Sequence, residues 1–509
     1  MMKIIIIAIL FAILCCPKDS LASATHGDFT YALSETATID GFIINGHPLR
    51  DTIRIELYRS ASYGRIGAER TNIITDSNGR FHFKVSGITQ PARVLLYLFK
   101  TPNENSGFQY MIDQYLLNPG DSIQIQMKKA KSGSDLSFSG PGSAVFHYQH
   151  VIDSVELMWS LKDRETDHGE FYNIENWQNR KIYMDSLCSV KQDILNRYRN
   201  NFTPETFYIL QADIVGKAYC NYLVNFYNPD LIKNGKKKYL NFYAEILSSP
   251  IDTFRSELVA HSPYYLEFLT RLSFLRLYFN NDLDEKYWLS NAYSQSISEN
   301  YNSLKWNYHG YLREILCLNY LTDVMMGSKD NSVDSCMTDL QGFVATETVK
   351  SIVNEWQNGH GKNKMAYDFA LPNPEGRIVH MKDFKGKVIL LDVWFTGCAG
   401  CLEVAQQFKN TIYKQFNNNP NLVFVSISGD RNKSLWLKSV KEENYTRREN
   451  VNLYTDGLGF DHPFMKYYFF YGGPYLMIVG KNGRIYTSNP PIHGRLNALA
   501  ESLKDALAE

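Results

Sequence analysis

The chain has no excess of either charge, because its 509 residues include 53 lysines and arginines and 53 aspartates and glutamates. A net charge of zero gives no electrostatic reason to expect binding to nucleic acid or to an anionic membrane surface. After the first residues, no stretch is long and apolar enough to span a bilayer. The sequence also lacks a second C-x-x-C, whereas structural zinc sites commonly combine two such pairs.

The single C-x-x-C, formed by Cys398 and Cys401, ends an apolar stretch. Residues 388–391 form a continuous apolar run that resumes at 393–395, which is typical of a strand buried on both faces. The sequence that follows Cys401 is a good helix former. We therefore predict that the pair lies where a buried strand turns into a helix.

This position gives the two cysteines different chemistry. A thiolate at a helix N-terminus is stabilised by unpaired backbone N–H groups and by the helix dipole, which lowers its pKa. A second thiol one turn further along can break a mixed disulfide and release the partner. We therefore expect an exposed, attacking Cys398 and a shielded, resolving Cys401, which form a redox-active disulfide without a metal.

Short motifs around the pair resemble those of thioredoxins. Asp-Val-Trp at 392–394, followed after three residues by the C-x-x-C, resembles the thioredoxin active site. The sequences at 367–371, 375–377 and 385–387 resemble the TlpA/ResA branch of envelope thiol–disulfide oxidoreductases. This resemblance covers about residues 363–509, and the order of strand and helix patterns in them predicts a mixed sheet covered by helices.

The resemblance implies roles for four further residues. Asp392 matches the buried acid of thioredoxins, which handles the proton of the second cysteine. Pro474, preceded by Gly473, matches a cis-proline that faces the C-x-x-C and offers backbone groups to a substrate peptide, and Trp394 is placed with them as substrate-binding. The residues alone also allow a solvent-facing Asp392 and an ordinary proline at the start of a strand. No cofactor is implied.

The sequence departs from the family pattern around the cysteines. Gly397 stands in place of the usual tryptophan, and the intervening dipeptide, residues 399–400, lacks the common proline. Val404 and Gln406 replace an acid and a proline of the following helix. These departures leave the redox potential open.

Patterning predicts three domains, which is consistent with 509 residues and an apolar content of 44%. Residues 25–143 have the alternation of short strands and predict a β-sandwich-like domain, and the sequences at 119–123 and 138–143 resemble a β-domain of unknown role that precedes thioredoxin domains in some envelope proteins. Residues 144–357 have helical periodicity and predict an all-α domain. A polar, flexible linker at 358–364 then leads to an α/β thioredoxin-like domain at 365–509.

The predicted helical domain contains Cys188, Cys220, Cys317 and Cys336. In an exported chain these four could form two disulfides in three connectivities, and buried free thiols are an equal alternative.

The function predicted from these features is an exported thiol–disulfide oxidoreductase that exchanges disulfides with envelope proteins, more as a reductant than as an oxidant. Its partners would be protein thiols and disulfides and a membrane-bound or soluble electron donor. The alternative, from another class, is an envelope scaffold protein with a nearly idle thioredoxin domain. Copper delivery through the cysteine pair and a histidine such as His462 or His493 is a further hypothesis.

The beginning of the chain predicts export to the periplasm or cell envelope. Lys3 precedes an apolar run, and residues 22–24 fit a signal-peptidase site, so that residues 1–24 would be a signal peptide. Lipid on Cys15 or Cys16 is the alternative and would anchor the chain to a membrane. We expect the mature chain to begin at Thr25, which mass spectrometry of the purified protein checks. A retained Met1 or a lipidated cysteine would contradict this expectation.

Overall fold

The computed structural model describes residues 35–44, 46, 51–59, 68–99, 108–130, 133–165, 177–223, 256–280, 297–325, 332–361, 363–488 and 496–509. The predicted signal peptide, both candidate lipidation sites and His493 lie outside these residues.

The N-terminal part is a sandwich of two four-stranded sheets, with strand orders β4-β1-β7-β8 and β3-β2-β5-β6. Its strands are β1 (Thr36–Ile44), β2 (Thr52–Tyr58), β3 (Ala68–Ile74), β4 (Arg80–Ser86), β5 (Ala92–Phe99), β6 (Phe108–Leu117), β7 (Ser122–Ala130) and β8 (Gly133–Ser139). Inward-facing residues of both sheets, such as Ile39, Ile55 and Val94, form one buried cluster. The alternation predicted for β2 therefore places one face in the core and leaves Arg54 and Glu56 on the other.

The middle part is helical. Its described helices are α1 (Ser143–Glu165), α2 (Trp177–Arg197), α3 (Pro204–Leu223), α4 (Ser256–Val259), α5 (Pro263–Asn280), α6 (Ile297–Asn307), α7 (Gly310–Met325), α8 (Ser332–Phe343) and α9 (Glu347–His360). Two apolar clusters hold them together, and one of these includes Leu116 of β6, which joins the helices to the sandwich. Over the described ranges, no helix combines the length and the apolar character needed to cross a membrane.

The four cysteines of the helical domain are free thiols in this structure. Cys220, Cys317 and Cys336 are buried, and burial raises the pKa of the partly buried Cys188 thiol to about 11. The structure thus has free thiols where two disulfides were the alternative, and burial also raises the pKa values of Cys220 and Cys317, which makes them poor nucleophiles.

The C-terminal part is built on a five-stranded sheet with the order β13-β12-β11-β14-β15, and a small hairpin of β9 and β10 precedes it. Its elements are β9 (Ala370–Pro372), β10 (Ile378–His380), β11 (Val388–Trp394), α10 (Ala399–Asn410), α11 (Ile412–Phe416), β12 (Leu422–Ser428), α12 (Lys433–Glu442), β13 (Val451–Tyr454), α13 (Pro463–Tyr467), β14 (Tyr475–Val479), β15 (Ile485–Thr487) and α14 (Leu496–Ala508). The central strand β11 is parallel to β12 and antiparallel to β14. The predicted fold class, a β-sandwich, a helical domain and an α/β thioredoxin-like domain, is confirmed.

The predicted flexible linker at 358–364 requires a correction, because it begins inside α9. His360 is only 3% exposed and stacks between Trp356 and Phe469, with ring centroids 5.4 and 6.0 Å from its own. Burial lowers the pKa of His360 to about 4, so that a neutral ring fills this space. A Cβ on Gly359 would lie 2.7 Å from the carbonyl oxygen of Tyr467, so glycine permits the close approach. Gly359 and His360 of this polar segment therefore pack the helical domain against the thioredoxin-like domain.

Candidate active site

The two cysteines lie at the junction of β11 and α10, as the apolar run and the helical sequence predict. Cys398 is the N-cap of α10, and its Sγ accepts a hydrogen bond from the backbone N–H of Cys401 at 3.0 Å. The two residues form a disulfide. The Sγ of Cys398 therefore occupies the position at which unpaired N–H groups and the helix dipole favour a thiolate.

The disulfide is almost enclosed by apolar neighbours. Cys398 is 5% exposed and Cys401 is 3% exposed. Both belong to a cluster with Trp394, Trp436 and Tyr445. The contrast expected between an exposed Cys398 and a shielded Cys401 is therefore small in this oxidised form, because both cysteines lie in this aromatic cluster.

Residues 395–398, here called the cysteine loop, are held by groups that the sequence analysis missed. The backbone N–H and hydroxyl of Thr396 donate to the buried carboxylate of Asp430 at 2.9 and 2.7 Å. The N–H of Gly397 donates to the hydroxyl of Tyr445 at 2.8 Å. Asp430 follows β12, and polar residues after neighbouring parallel strands meet at one edge of a sheet, so this signal was present in the sequence.

Residues 471–474, here called the proline loop, face the cysteines. The Gly473–Pro474 peptide bond is cis. A Cβ on Gly473 would lie 2.9 Å from the Sγ of Cys401, and a Cβ on Gly400 would lie 3.2 Å from the Cδ of Pro474. The structure thus brings Gly473 and Pro474 against the disulfide, on the side that the resemblance implied.

Asp392 lies on β11 two residues before Trp394, and its side chain is partly buried. Burial raises the pKa of Asp392 to about 7, although a hydrogen bond from the hydroxyl of Ser426, at 3.5 Å, opposes this shift. The solvent-facing alternative for Asp392 does not describe this environment. A carboxyl group with such a pKa can exchange a proton near neutral pH.

Trp394 requires a correction, since it was expected to bind substrate but is 0% exposed. Its Nε1 donates to the hydroxyl of Ser426 at 2.8 Å, and its ring stacks on Tyr445 with centroids 5.1 Å apart. The side chain points into the sheet–helix layer because its neighbour Val393 occupies the opposite face. Trp394 therefore holds Ser426 by a hydrogen bond and Tyr445 by stacking, within the core of the domain.

His462, named for a copper site, caps α13 with its Nδ1, which accepts the N–H of Phe464 at 3.1 Å. In the part of the chain that the structure describes, no group of three or more histidine, cysteine, aspartate or glutamate side chains could hold a metal ion.

Comparisons with known proteins bear on this domain. The thioredoxin-like family profile matches residues 386–485. No curated protein matches the chain. Among solved structures, a thiol–disulfide oxidoreductase from Bacteroides fragilis is 24% identical over 28% of this chain and 98% of its own, with a TM-score of 0.25. A thiol:disulfide interchange protein from a Bacteroides species is 24% identical over 30% of this chain and 92% of its own, also with a TM-score of 0.25.

The family match, the sheet order and the Cys398–Cys401 disulfide together confirm the predicted thioredoxin-like domain and the predicted class of enzyme, an oxidoreductase.

The contact between the proline loop and Cys401 gives a prediction for Gly473→Ala. Its new methyl group would press on the Sγ of Cys401, and we expect insulin reduction to slow by about tenfold or more, since small displacements of reacting groups are costly. Gly472→Ala is the matched control, because a Cβ there meets nothing within 4 Å. Equal rates of insulin reduction by the two variants would show that the proline loop accommodates the extra methyl group without disturbing the reaction.

Proposed function

We propose that this chain is an exported thiol–disulfide oxidoreductase that reduces disulfides of cell-envelope proteins. The observation that carries the proposal is the Cys398–Cys401 disulfide at the start of α10, with Gly473 and Pro474 against it. A redox pair, a helix start and a backbone edge for a peptide substrate are the three components that such an exchange needs.

The first step belongs to Cys398. In the reduced protein its thiolate attacks one sulfur of a substrate disulfide, and the other substrate sulfur leaves as a thiolate that takes up a proton. The hydrogen bond from the N–H of Cys401 and the dipole of α10 stabilise the attacking thiolate. The product of this step is a mixed disulfide between Cys398 and the substrate.

The second step belongs to Cys401. Its thiolate attacks the Sγ of Cys398, the bond to the substrate breaks, and the substrate departs with both sulfurs reduced. Two electrons have then passed to the substrate, and the Cys398–Cys401 disulfide forms. Asp392 is the group proposed to accept the proton of Cys401, since its pKa of about 7 suits that transfer.

The direction of electron flow and the location extend the proposal. A reductant must be returned to the dithiol form by a membrane-bound or soluble donor, as the resemblance to exported envelope oxidoreductases implies. The apolar start of the sequence supports export. The same fold serves reductants and oxidants, since thioredoxin has a reduction potential of about −270 mV and DsbA one of about −120 mV. The reduction potential of the Cys398–Cys401 pair, measured by equilibration with glutathione, therefore decides between the two directions.

The roles of the two cysteines predict opposite results for two variants. Cys401→Ser lacks the resolving thiol, so substrates should remain attached to Cys398 as mixed disulfides. Cys398→Ser lacks the attacking thiol and should form few complexes. Non-reducing gels of cells that express each variant measure the contrast, and the trapped bands identify the substrates.

Equal trapping by both variants, or trapping by Cys398→Ser alone, would refute these roles. Absence of trapping by either variant, together with no insulin reduction by the parent, would favour the scaffold alternative.

The raised pKa of Asp392 predicts a pH dependence. Below about pH 7 its carboxyl group is protonated and cannot accept a proton, so the parent's rate of insulin reduction should rise as pH increases through this value. Asp392→Asn should show a smaller rise, because only ionisation of the thiols remains, and it should be slower than the parent above about pH 7, with rates similar to the parent's at about pH 5.

Stability supplies the control for Asp392→Asn. Because the folded state raises the pKa of Asp392 from 3.8 to about 7, the parent loses stability as pH rises between these values. The asparagine variant avoids burying this charge, so its melting temperature above pH 7 should equal or exceed the parent's. If the parent and Asp392→Asn had the same pH dependence of insulin reduction, Asp392 would have no part in the mechanism.

A further inference from the structure

Four polar residues on the outer face of the sandwich form a compact patch. Arg54 and Glu56 of β2 lie directly opposite Asn72 and Arg70 of β3 in the antiparallel register. The Nε of Arg54 donates to the Oδ1 of Asn72 at 2.9 Å, and the Nε of Arg70 donates to Glu56 at 3.0 Å. These four residues, here called the β2–β3 patch, contact the thioredoxin-like domain at two points.

The first point is Asp461. Its Oδ2 accepts hydrogen bonds from Arg54 at 2.8 Å and from Asn72 at 3.2 Å, and it also pairs with Arg431 of its own domain. The side chain of Asp461 is 13% exposed. Burial alone would raise its pKa, but Arg54, Arg431, the hydrogen bond from Asn72 and Lys466 together lower it, so the carboxylate stays ionised.

Two chains of contacts connect Asp461 with the cysteine loop, and the first passes through Arg431. That residue follows Asp430 in the chain, and Asp430 accepts both hydrogen bonds from Thr396. The hydroxyl of Tyr454 donates to the carbonyl of Arg431 at 2.6 Å. Because Arg431 is the next residue after Asp430, contacts that hold Arg431 in place also hold the Asp430 carboxylate that binds the cysteine loop.

The second chain of contacts passes through Phe460, which precedes Asp461. The rings of Phe460 and Phe395 meet edge to face with centroids 5.7 Å apart. The Phe460 ring also packs on Gly429, where an added Cβ would lie 2.5 Å from it. The carbonyl of Phe395 in turn accepts the N–H of Cys398 at 3.2 Å.

The second point of contact is Tyr471, the first residue of the proline loop. The guanidinium carbon of Arg70 lies 3.9 Å above the centroid of the Tyr471 ring. The ion pair with Glu56, in which Arg70 and Glu56 are 9% and 10% exposed, holds Arg70 in this position. Gly473, two residues after Tyr471, is the residue against Cys401.

We propose that the β2–β3 patch positions both walls of the redox site, with Arg54 acting on the cysteine loop through Asp461 and Arg70 acting on the proline loop through Tyr471. Arg54 and Arg70 are therefore positioning residues of a different domain. This inference rests on the proposed function. If the patch only joined the two domains, its substitution would lower the stability of the protein but would not change the reactivity of Cys398 in the folded protein. This difference makes the inference testable.

Arg54 is tested on the reduced full-length protein by alkylation with iodoacetamide as a function of pH, followed by mass spectrometry of the peptide that contains Cys398. Arg54→Met loosens the cysteine loop and leaves Asp461 less neutralised, and both effects disfavour the Cys398 thiolate. We expect alkylation near pH 6 to slow by about threefold or more, as a higher thiol pKa requires. Arg54→Lys should restore most of the rate.

Two further variants complete this test. Asn72→Ala removes no charge and should shift the pH profile of Cys398 alkylation in the same direction but by less. It replaces Arg54→Met in this test if that variant folds poorly. Arg59→Met is the matched control, because Arg59 pairs with Glu69 and with the carbonyls of Ser86 and Gly87, all within the sandwich.

Arg70 is tested with two substrates and dithiothreitol as the electron source. Insulin uses the proline loop as a peptide-binding edge, whereas glutathione disulfide presents little backbone to it. Arg70→Met should therefore raise the KM for insulin by about threefold or more with little change in kcat, and should leave glutathione disulfide reduction close to the parent's. Arg70→Lys should recover the insulin KM.

The inference is overturned if folded Arg54→Met and Asn72→Ala have the Cys398 profile of Arg59→Met, or if Arg70→Met affects the two substrates equally. Alkylation of Cys398 requires no disulfide substrate, so its result does not depend on the proposed function. A parent protein that fails to reduce insulin contradicts the proposed function instead.

Discussion

The hydrogen-bonded register of β11 between its two neighbours decides where the groups of the candidate site lie. Because β11 and β12 are parallel, the cysteine loop after Trp394 and Asp430 after Ser428 emerge at the same edge of the sheet. Because β14 is antiparallel to β11 and Tyr475 pairs with Val393, Pro474 lies just before β14 at that same edge. A shift of one residue would turn Asp392 to the opposite face and move Gly473 away from Cys401. The site therefore depends on sheet pairing before it depends on any single catalytic residue.

The sequence predicted those features that arise from local patterns. The run at 388–395 predicted β11, and the apolar segment at 475–479 coincides with β14, because buried strands have a strong apolar signal. The C-x-x-C at a strand-to-helix junction identified Cys398 and Cys401. Asp430 was missed although its place after β12 is a signal in the sequence, whereas Tyr445 was missed because it reaches the cysteine loop from a separate segment that no local pattern connects with it.

Polar residues were the hardest to interpret, since the same alternation fits a face exposed to water and a face covered by another domain. Arg54 and Glu56 alternate with the apolar residues of β2, as they would on a solvated strand, but they lie in the contact with the thioredoxin-like domain. Gly359 and His360 have the composition of a linker, yet Gly359 packs closely against Tyr467 and His360 stacks on Phe469. Composition reports the chemistry of a segment, whereas its burial depends on what the rest of the chain brings against it.

Gly397 shows how the departure from the family pattern changes the surface around the cysteines. Its φ of +94° lies in the region that favours glycine, so the tryptophan usual in the family would be strained in this backbone. A Cβ at this position would meet nothing within 4 Å, which leaves open space directly before Cys398. The disulfide lies in an aromatic cluster inside the domain, and Gly397 adds no side chain to it. The backbone at this position thus requires glycine for conformational reasons, and the side of Cys398 next to Gly397 lacks the aromatic side chain that the resemblance implied.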